Sequence, residues 1–140
     1  MSDNERLAAA TLEDYFFSME KLVKTPYYDV LGHIIYPLRY MGDNASILSW
    51  MDHVEILLKE VIRSGRGIEV NTNRARQIKD WIPVLKLYQQ LGGEIITLGS
   101  DAHEPIHAGL GIPETCELLK SLGFKAICTY EKHKPTFVDI

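Results

Sequence analysis

The sequence predicts an α/β fold, in which helices cross over between parallel strands. Two observations carry this. Some stretches place apolar residues at spacings of three and four, and others run apolar over a few consecutive residues. Glycines and prolines punctuate the junctions between the two kinds of stretch. The chain has 140 residues and is 46% hydrophobic, enough for the core of one ordinary domain and too much for a disordered segment.

Residues 1–10 read as a loose start, with the domain proper over 11–140. Thr11-Leu-Glu-Asp14 has the capping-box pattern ahead of a helical run through Val23. That helix stops before Pro26, because the residue preceding a proline avoids helical geometry. Tyr28-Asp-Val-Leu-Gly-His33 reads as a strand, and 37–44 as a loop. Ile47, Trp50, Met51, Val54, Leu57, Leu58, Val61 and Ile62 make one apolar stripe, hence a long helix closed by Gly65 and Gly67. Gly67-Ile-Glu-Val-Asn71 is a strand. Trp81, Ile82, Leu85, Tyr88 and Leu91 mark a helix closed by Gly92-Gly93. Glu94-Ile-Ile-Thr-Leu-Gly99 is a buried strand. Pro113 to Leu122 is a helix, with proline in its first turn and Gly123 past its end. Lys125-Ala-Ile-Cys-Thr129 is a further parallel strand, and Lys134-Pro-Thr-Phe-Val-Asp139 a final short one. A complete α/β barrel takes about 250 residues, so these units amount to roughly half of one.

Composition narrows the function. A formal charge of −4 gives no electrostatic footprint for nucleic acid. No apolar run is long enough to span a membrane, and the charged N-terminus lacks an apolar signal core. Cys116 and Cys128 have no metal-ribbon spacing and sit among apolar neighbours. They read as reduced core thiols of a cytoplasmic protein.

In parallel α/β folds functional side chains gather at the C-terminal ends of strands. Here His33 ends the first strand. Glu69 and Asn71 end the second, followed by Thr72, Arg74 and Arg76. Asp101 and His103 follow the third. If the chain stays extended, Asp101 and His103 project to one side. A carboxylate beside an imidazole suits a borderline divalent metal. Asp101 equally suits a turn or cap, and a lone histidine a satisfied structural role. Arg39, Arg74 and Arg76 can each grip a phosphate bidentately or serve as solvated surface charge. His53, His107 and His133 read as surface or packing residues, and Met19, Met41 and Met51 as core or cap residues.

The segments Gly67-Ile-Glu-Val-Asn-Thr72, Leu87-Tyr-Gln-Gln-Leu-Gly-Gly93 and Ile96-Thr-Leu-Gly-Ser-Asp-Ala-His103 resemble the C-terminal part of PHP-family histidinol-phosphatases. Asp29-Val-Leu-Gly-His33 resembles the segment bearing an earlier metal-binding histidine of that family. Gly123-Phe-Lys-Ala-Ile-Cys128 and Lys134-Pro-Thr-Phe137 resemble its C-terminus. The resemblance implies half of a distorted TIM-like barrel and a metal-dependent phosphomonoesterase acting on L-histidinol phosphate. It also implies divalent metal ions (Zn, Mn or Fe), with His33, Asp101 and His103 as ligands. Arg39 and Arg76 then lie in basic positions near the phosphate. The family's opening His-x-His motif has no counterpart, since no histidine precedes His33. The chain alone is therefore expected to be a poor phosphatase, or a catalytically inactive remnant with weak metal binding. Half a barrel also leaves apolar strands and edges open, which predicts a homo-oligomer, preferably a two-fold dimer, with segment 1–24 covering a neighbour.

Overall fold

The computed structural model describes residues 2–42 and 45–140. The first helix, α1 (Asp3–Leu22), starts well before Thr11. Ser2 and Glu5 form the capping box: the Ser2 hydroxyl accepts from the Glu5 amide, and the Glu5 carboxylate accepts from the Ser2 amide. Leu7-Ala-Ala-Ala10 then propagates the helix with strong helix formers, so this stretch is not a loose start. Thr11 sits inside the helix, its hydroxyl donating to the Leu7 carbonyl at 2.8 Å. Leu12 and Phe16, one turn apart, are buried. The Phe16 ring stacks on Trp50 and His53, with centroids 5.8 and 5.4 Å away. Segment 1–24, expected to cover a neighbour, thus packs by α1 on its own chain.

Strand β1 is only Val30–Leu31, shorter than the expected 28–33. His33 ends it by adopting φ 35, and its carbonyl accepts from the Tyr36 amide at 2.8 Å to close a turn. Tyr36–Tyr40 follows as a 3-10 helix with Pro37 in its first turn, where a loop was expected over 37–44. Asp43 and Asn44, at the end of that loop, lie outside the described residues. The apolar stripe from Ile47 divides into a 3-10 turn, Ile47–Trp50, and helix α2, Met51–Arg63. Then come β2 (Gly67–Asn71), α3 (Ile82–Gln90), β3 (Ile96–Gly99) and α4 (Ile112–Ser121).

The three strands pair in parallel in the order β1-β2-β3, with Val30 opposite Gly67 and Ile68 opposite Ile96. Fold class is α/β, as the alternation predicts. Side-chain alternation sorts the two faces of the sheet. Ile68, Val70 and Ile96 are fully buried, as are Leu57, Leu58 and Val61 of α2 and Val84, Leu85 and Tyr88 of α3. Glu69, Asn71, Thr97 and Gly99 alternate with them and share the other face. Buried polar tips are satisfied: the Trp81 indole donates to the Asn71 carbonyl and the Tyr88 hydroxyl to the Ile95 carbonyl, each at 2.9 Å.

The fourth strand departs from expectation. β4 (Ala126–Glu131) pairs antiparallel with β5 (Lys134–Asp139) as a separate two-stranded sheet. Lys132 and His133, at φ 49 and 65, form the two-residue connection that matches the twist of a hairpin. Local hairpin pairing therefore takes the place of the parallel register. Cys128 is buried and Cys116 half-buried, both free thiols, in keeping with core roles. Among the described residues no helix is long and apolar enough to cross a membrane.

Candidate phosphate and metal site at the strand ends

Three chain segments meet beyond the C-terminal ends of the strands, and Arg39 ties them together. Its Nε donates to Oε1 of Gln77, Nη1 to Oδ2 of Asp101 and Nη2 to Oδ1 of Asn71, each at 2.7 Å. The guanidinium also lies 5.0 Å from the Tyr36 ring centroid. The Arg39 side chain is 8% exposed and that of Asp101 31%. Most of the Arg39 fork is thus committed to the protein, so less of it is free for a phosphate than its sequence position suggests.

Asp101 has φ 56. The extended chain does not continue through it, and the alternation argument for Asp101 and His103 fails for that reason. The two residues nevertheless line one cavity of about 470 Å³. His103 Nδ1 lies 2.9 Å from the Asp101 carbonyl. A carbonyl only accepts, so Nδ1 carries a proton, and the neutral form of the ring leaves the Nε2 lone pair for a ligand role. Metal-binding histidines usually hold their second nitrogen this way.

His33 stands beside this cavity. Its ring centroid is 4.9 Å from that of Tyr36, a lining residue. Its amide donates to Glu69 Oε2 at 3.2 Å. Among the described residues, no three His, Cys, Asp or Glu side chains gather closely enough to hold a metal. The donors present fit a contributed part of a metal centre and not a whole one.

The segment after β2 is unusual. Asn73, Arg74 and Ala75 take φ of 48, 54 and 67 in succession. Such a left-handed run of non-glycine residues is strained and needs support. Asn71 Oδ1 accepts from the Asn73 amide, the Ser100 carbonyl from the Arg74 amide, and Thr72 Oγ1 from the Ala75 amide. This turn carries Arg74 and Arg76 into the cavity wall, which Tyr40 and His103 also line. Arg74 Nη2 donates to Asn73 Oδ1 at 3.0 Å, while its Nε is buried without a partner. Arg76 is exposed. Three guanidinium groups against the single Asp101 carboxylate make the cavity attractive to an anion.

Sequence spacing did not single out the tyrosines. The Tyr36 and Tyr40 hydroxyls lie 3.0 Å apart at the cavity mouth. Their hydrogen bond raises the Tyr36 phenol above its ordinary range. Tyr15 of α1 donates to the His33 carbonyl at 3.4 Å. Burial pushes its phenol up to about 12, against the opposing pull of Arg39. The signal available was Tyr36, Arg39 and Tyr40 within one short turn. The other histidines lie elsewhere: His53 stacks on Phe16 and pairs with Glu20, and His133 pairs with Asp29 at the surface.

No protein-family model matches the chain. Over 126 residues it is 33% identical to a probable histidinol-phosphatase of Thermotoga maritima, a match covering 86% of this chain and 51% of that protein. Over 122 residues it is 28% identical to a probable histidinol-phosphatase of Clostridium acetobutylicum, covering 82% and 48%. A crystal structure of histidinol phosphate phosphatase from Lactococcus lactis subsp. lactis, complexed with Zn, L-histidinol and phosphate, shares the fold at a TM-score of 0.74 and 20% identity. That match covers 89% of this chain and 50% of the solved one. The chain spans about half the length of the curated relatives it matches. Its similarity to the histidinol-phosphatases thus runs over most of this chain and aligns with the C-terminal half of those proteins.

Proposed function

We propose that the chain forms the C-terminal half of a PHP-type distorted α/β barrel. In that role it supplies part of a metal-dependent phosphomonoesterase site. The substrate is L-histidinol phosphate, cleaved to L-histidinol and phosphate in cytoplasmic histidine biosynthesis. The observation that carries this is the single cavity shared by Arg39, Arg76, Asp101 and His103. Arg76, an exposed residue of its lining, binds phosphate oxygens on this reading. Arg39 holds Asp101 and has its remaining N–H groups for the same anion. His103, with Nδ1 donated to the Asp101 carbonyl, presents Nε2 as a ligand. His33 is the third proposed ligand, held beside the cavity by its amide and its contact with Tyr36. Together with Asp101, these histidines would hold a divalent ion (Zn, Mn or Fe), which would supply Lewis-acid chemistry at the phosphoester.

A second reading is favoured by a specific observation: no three metal-binding side chains gather among the described residues. On this reading the isolated chain is a catalytically inactive remnant with weak metal binding. Phosphate release from L-histidinol phosphate, with Mn²⁺ or Zn²⁺ added and a polypeptide carrying the missing ligands present or absent, separates the two. Turnover near background is expected for the purified chain alone, because ligand count governs metal affinity. Robust turnover that Asp101→Ala abolishes would overturn that expectation.

We also propose a two-fold homodimer. β5 is exposed along its whole length, with Phe137 and Val138 at 52% and 44% exposure. Edges and apolar patches of this kind are normally covered. Sedimentation of a compact monomer at micromolar concentration would rule the dimer out.

A further inference from the structure

We propose that Glu69 is a positioning residue: its carboxylate, seated between Gly32 and Gly99, holds His33 in its left-handed conformation. Glu69 lies on the central strand and points to the face away from the helical core. One oxygen, Oε2, accepts the His33 amide at 3.2 Å, and the other, Oε1, accepts Asn71 Nδ2 at 3.4 Å. Glycine stands where both neighbouring segments pass this carboxylate, Gly99 at the end of β3 and Gly32 just after β1. A Cβ on Gly99 would stand 2.3 Å from Oε1, and one on Gly32 3.5 Å from Oε2. The groove therefore has room for the carboxylate because β3 carries no side chain there.

The need for such a hold is local. His33 adopts φ 35 without being glycine, a conformation that survives only when surrounding bonds over-determine it. Its carbonyl is held by the Tyr36 amide at 2.8 Å and by the Tyr15 hydroxyl at 3.4 Å. Glu69 holds the other side of the same residue. The carboxylate also links the two halves of the site. Asn71, which donates to Glu69, accepts Arg39 Nη2 through Oδ1, and Arg39 donates to Asp101. One polar chain thus runs across the sheet from the His33 amide to the Asp101 carboxylate. Glu69 sets the position of His33 relative to Asp101.

The test uses the full chain with Glu69→Ala, Glu69→Gln and Gly99→Ala. It reads the His33 amide exchange rate and the His33 Cα and Cβ shifts, which report φ. Glu69→Ala is expected to speed His33 amide exchange roughly tenfold or more, relative to amides of α3. Gly99→Ala changes nothing at His33 directly, yet displaces the carboxylate and should move the same signals. The double variant should add little to Glu69→Ala. Glu69→Gln keeps the size and one acceptor, so it should restore part of the protection. Unchanged His33 signals in Glu69→Ala, or equal changes along all three strands, overturn the proposal. The assignment of His33 as a metal ligand comes from the proposed function and is tested separately by Zn²⁺ calorimetry. His33 signals that move while Zn²⁺ affinity stays constant would uphold the positioning role and remove His33 from the ligand set.

Discussion

Asp101 Oδ2 lies 2.7 Å from Arg39 Nη1, in a pair whose cationic partner is 8% exposed. A guanidinium so removed from water persists only when its donors are matched, and here Asn71 and Gln77 match the other two nitrogens. Arg39→Ala strands a carboxylate and two amides at once. The expected loss of stability is about 1–3 kcal/mol, the cost of leaving buried polar groups unsatisfied, because Asp101 at 31% exposure regains water. Arg39→Lys keeps the charge but reaches a single partner, so it should fall between the wild type and Arg39→Ala. Urea denaturation measures both. A loss no larger than that of an exposed pair such as Arg63–Glu60 would show that the clamp is not structural.

The same geometry separates charge from shape at Asp101. Asp101→Asn retains an oxygen for Arg39 and removes the anion that attracts a metal. Zn²⁺ affinity, read by calorimetry, is expected to fall at least about tenfold while the far-ultraviolet spectrum stays native. Equal Zn²⁺ binding by the two proteins would exclude Asp101 from the ligand set.

Helix α1 is part of the core rather than an appendage. Phe16 is fully buried and clusters with Trp50 and His53. Phe16→Ala should cost about 3–5 kcal/mol, the usual range for deleting a buried aromatic. Phe17, its neighbour at 59% exposure, serves as the control. Equal denaturation midpoints for Phe16→Ala and Phe17→Ala would mean that α1 is not docked.

Much of this was legible along the chain, for physical reasons. The strand Gly67–Asn71 appears where expected, and so does the stripe ending at Ile62, apart from a 3-10 turn over Ile47–Trp50 at its start. The start of α1 was also written, as Ser2 and Glu5 at capping-box spacing, but the Thr11 pattern competed with it. The turn at His33 had no such mark, since a left-handed histidine carries no glycine to announce it. The hairpin turn at Lys132-His133 likewise lacks the usual Asn-Gly, so β4 read as one more parallel strand. At the site, Asp101 and His103 were marked as polar residues after a strand end, whereas Arg39 and Arg76 took their expected phosphate roles from the family resemblance. Gln77, Tyr15 and Glu69 were not given roles. Their partners lie 38, 18 and 36 positions away, a separation that only the folded sheet closes.

The alkaline limb of stability follows from Tyr15. Burial raises its phenol from 10.0 to about 12, with Arg39 the smaller, opposing influence. The folded state therefore holds the proton more tightly than the unfolded chain. That contribution is fully present below pH 10 and is lost as pH rises from 10 toward 12. Over that window it amounts to about 2–3 kcal/mol at 1.36 kcal/mol per pH unit. Tyr88, pushed up more strongly by burial, adds to the same slope. Tyr15→Phe removes only the first share, so its stability should fall less steeply between pH 10 and 11.5. It also loses the 3.4 Å bond to the His33 carbonyl, which lowers stability equally at every pH below 10. Urea midpoints at several pH values give the slope, and absorbance at 295 nm counts the phenols that lag behind the exposed ones. Parallel slopes for Tyr15→Phe and the wild type, with every tyrosine titrating near 10, would refute the assignment.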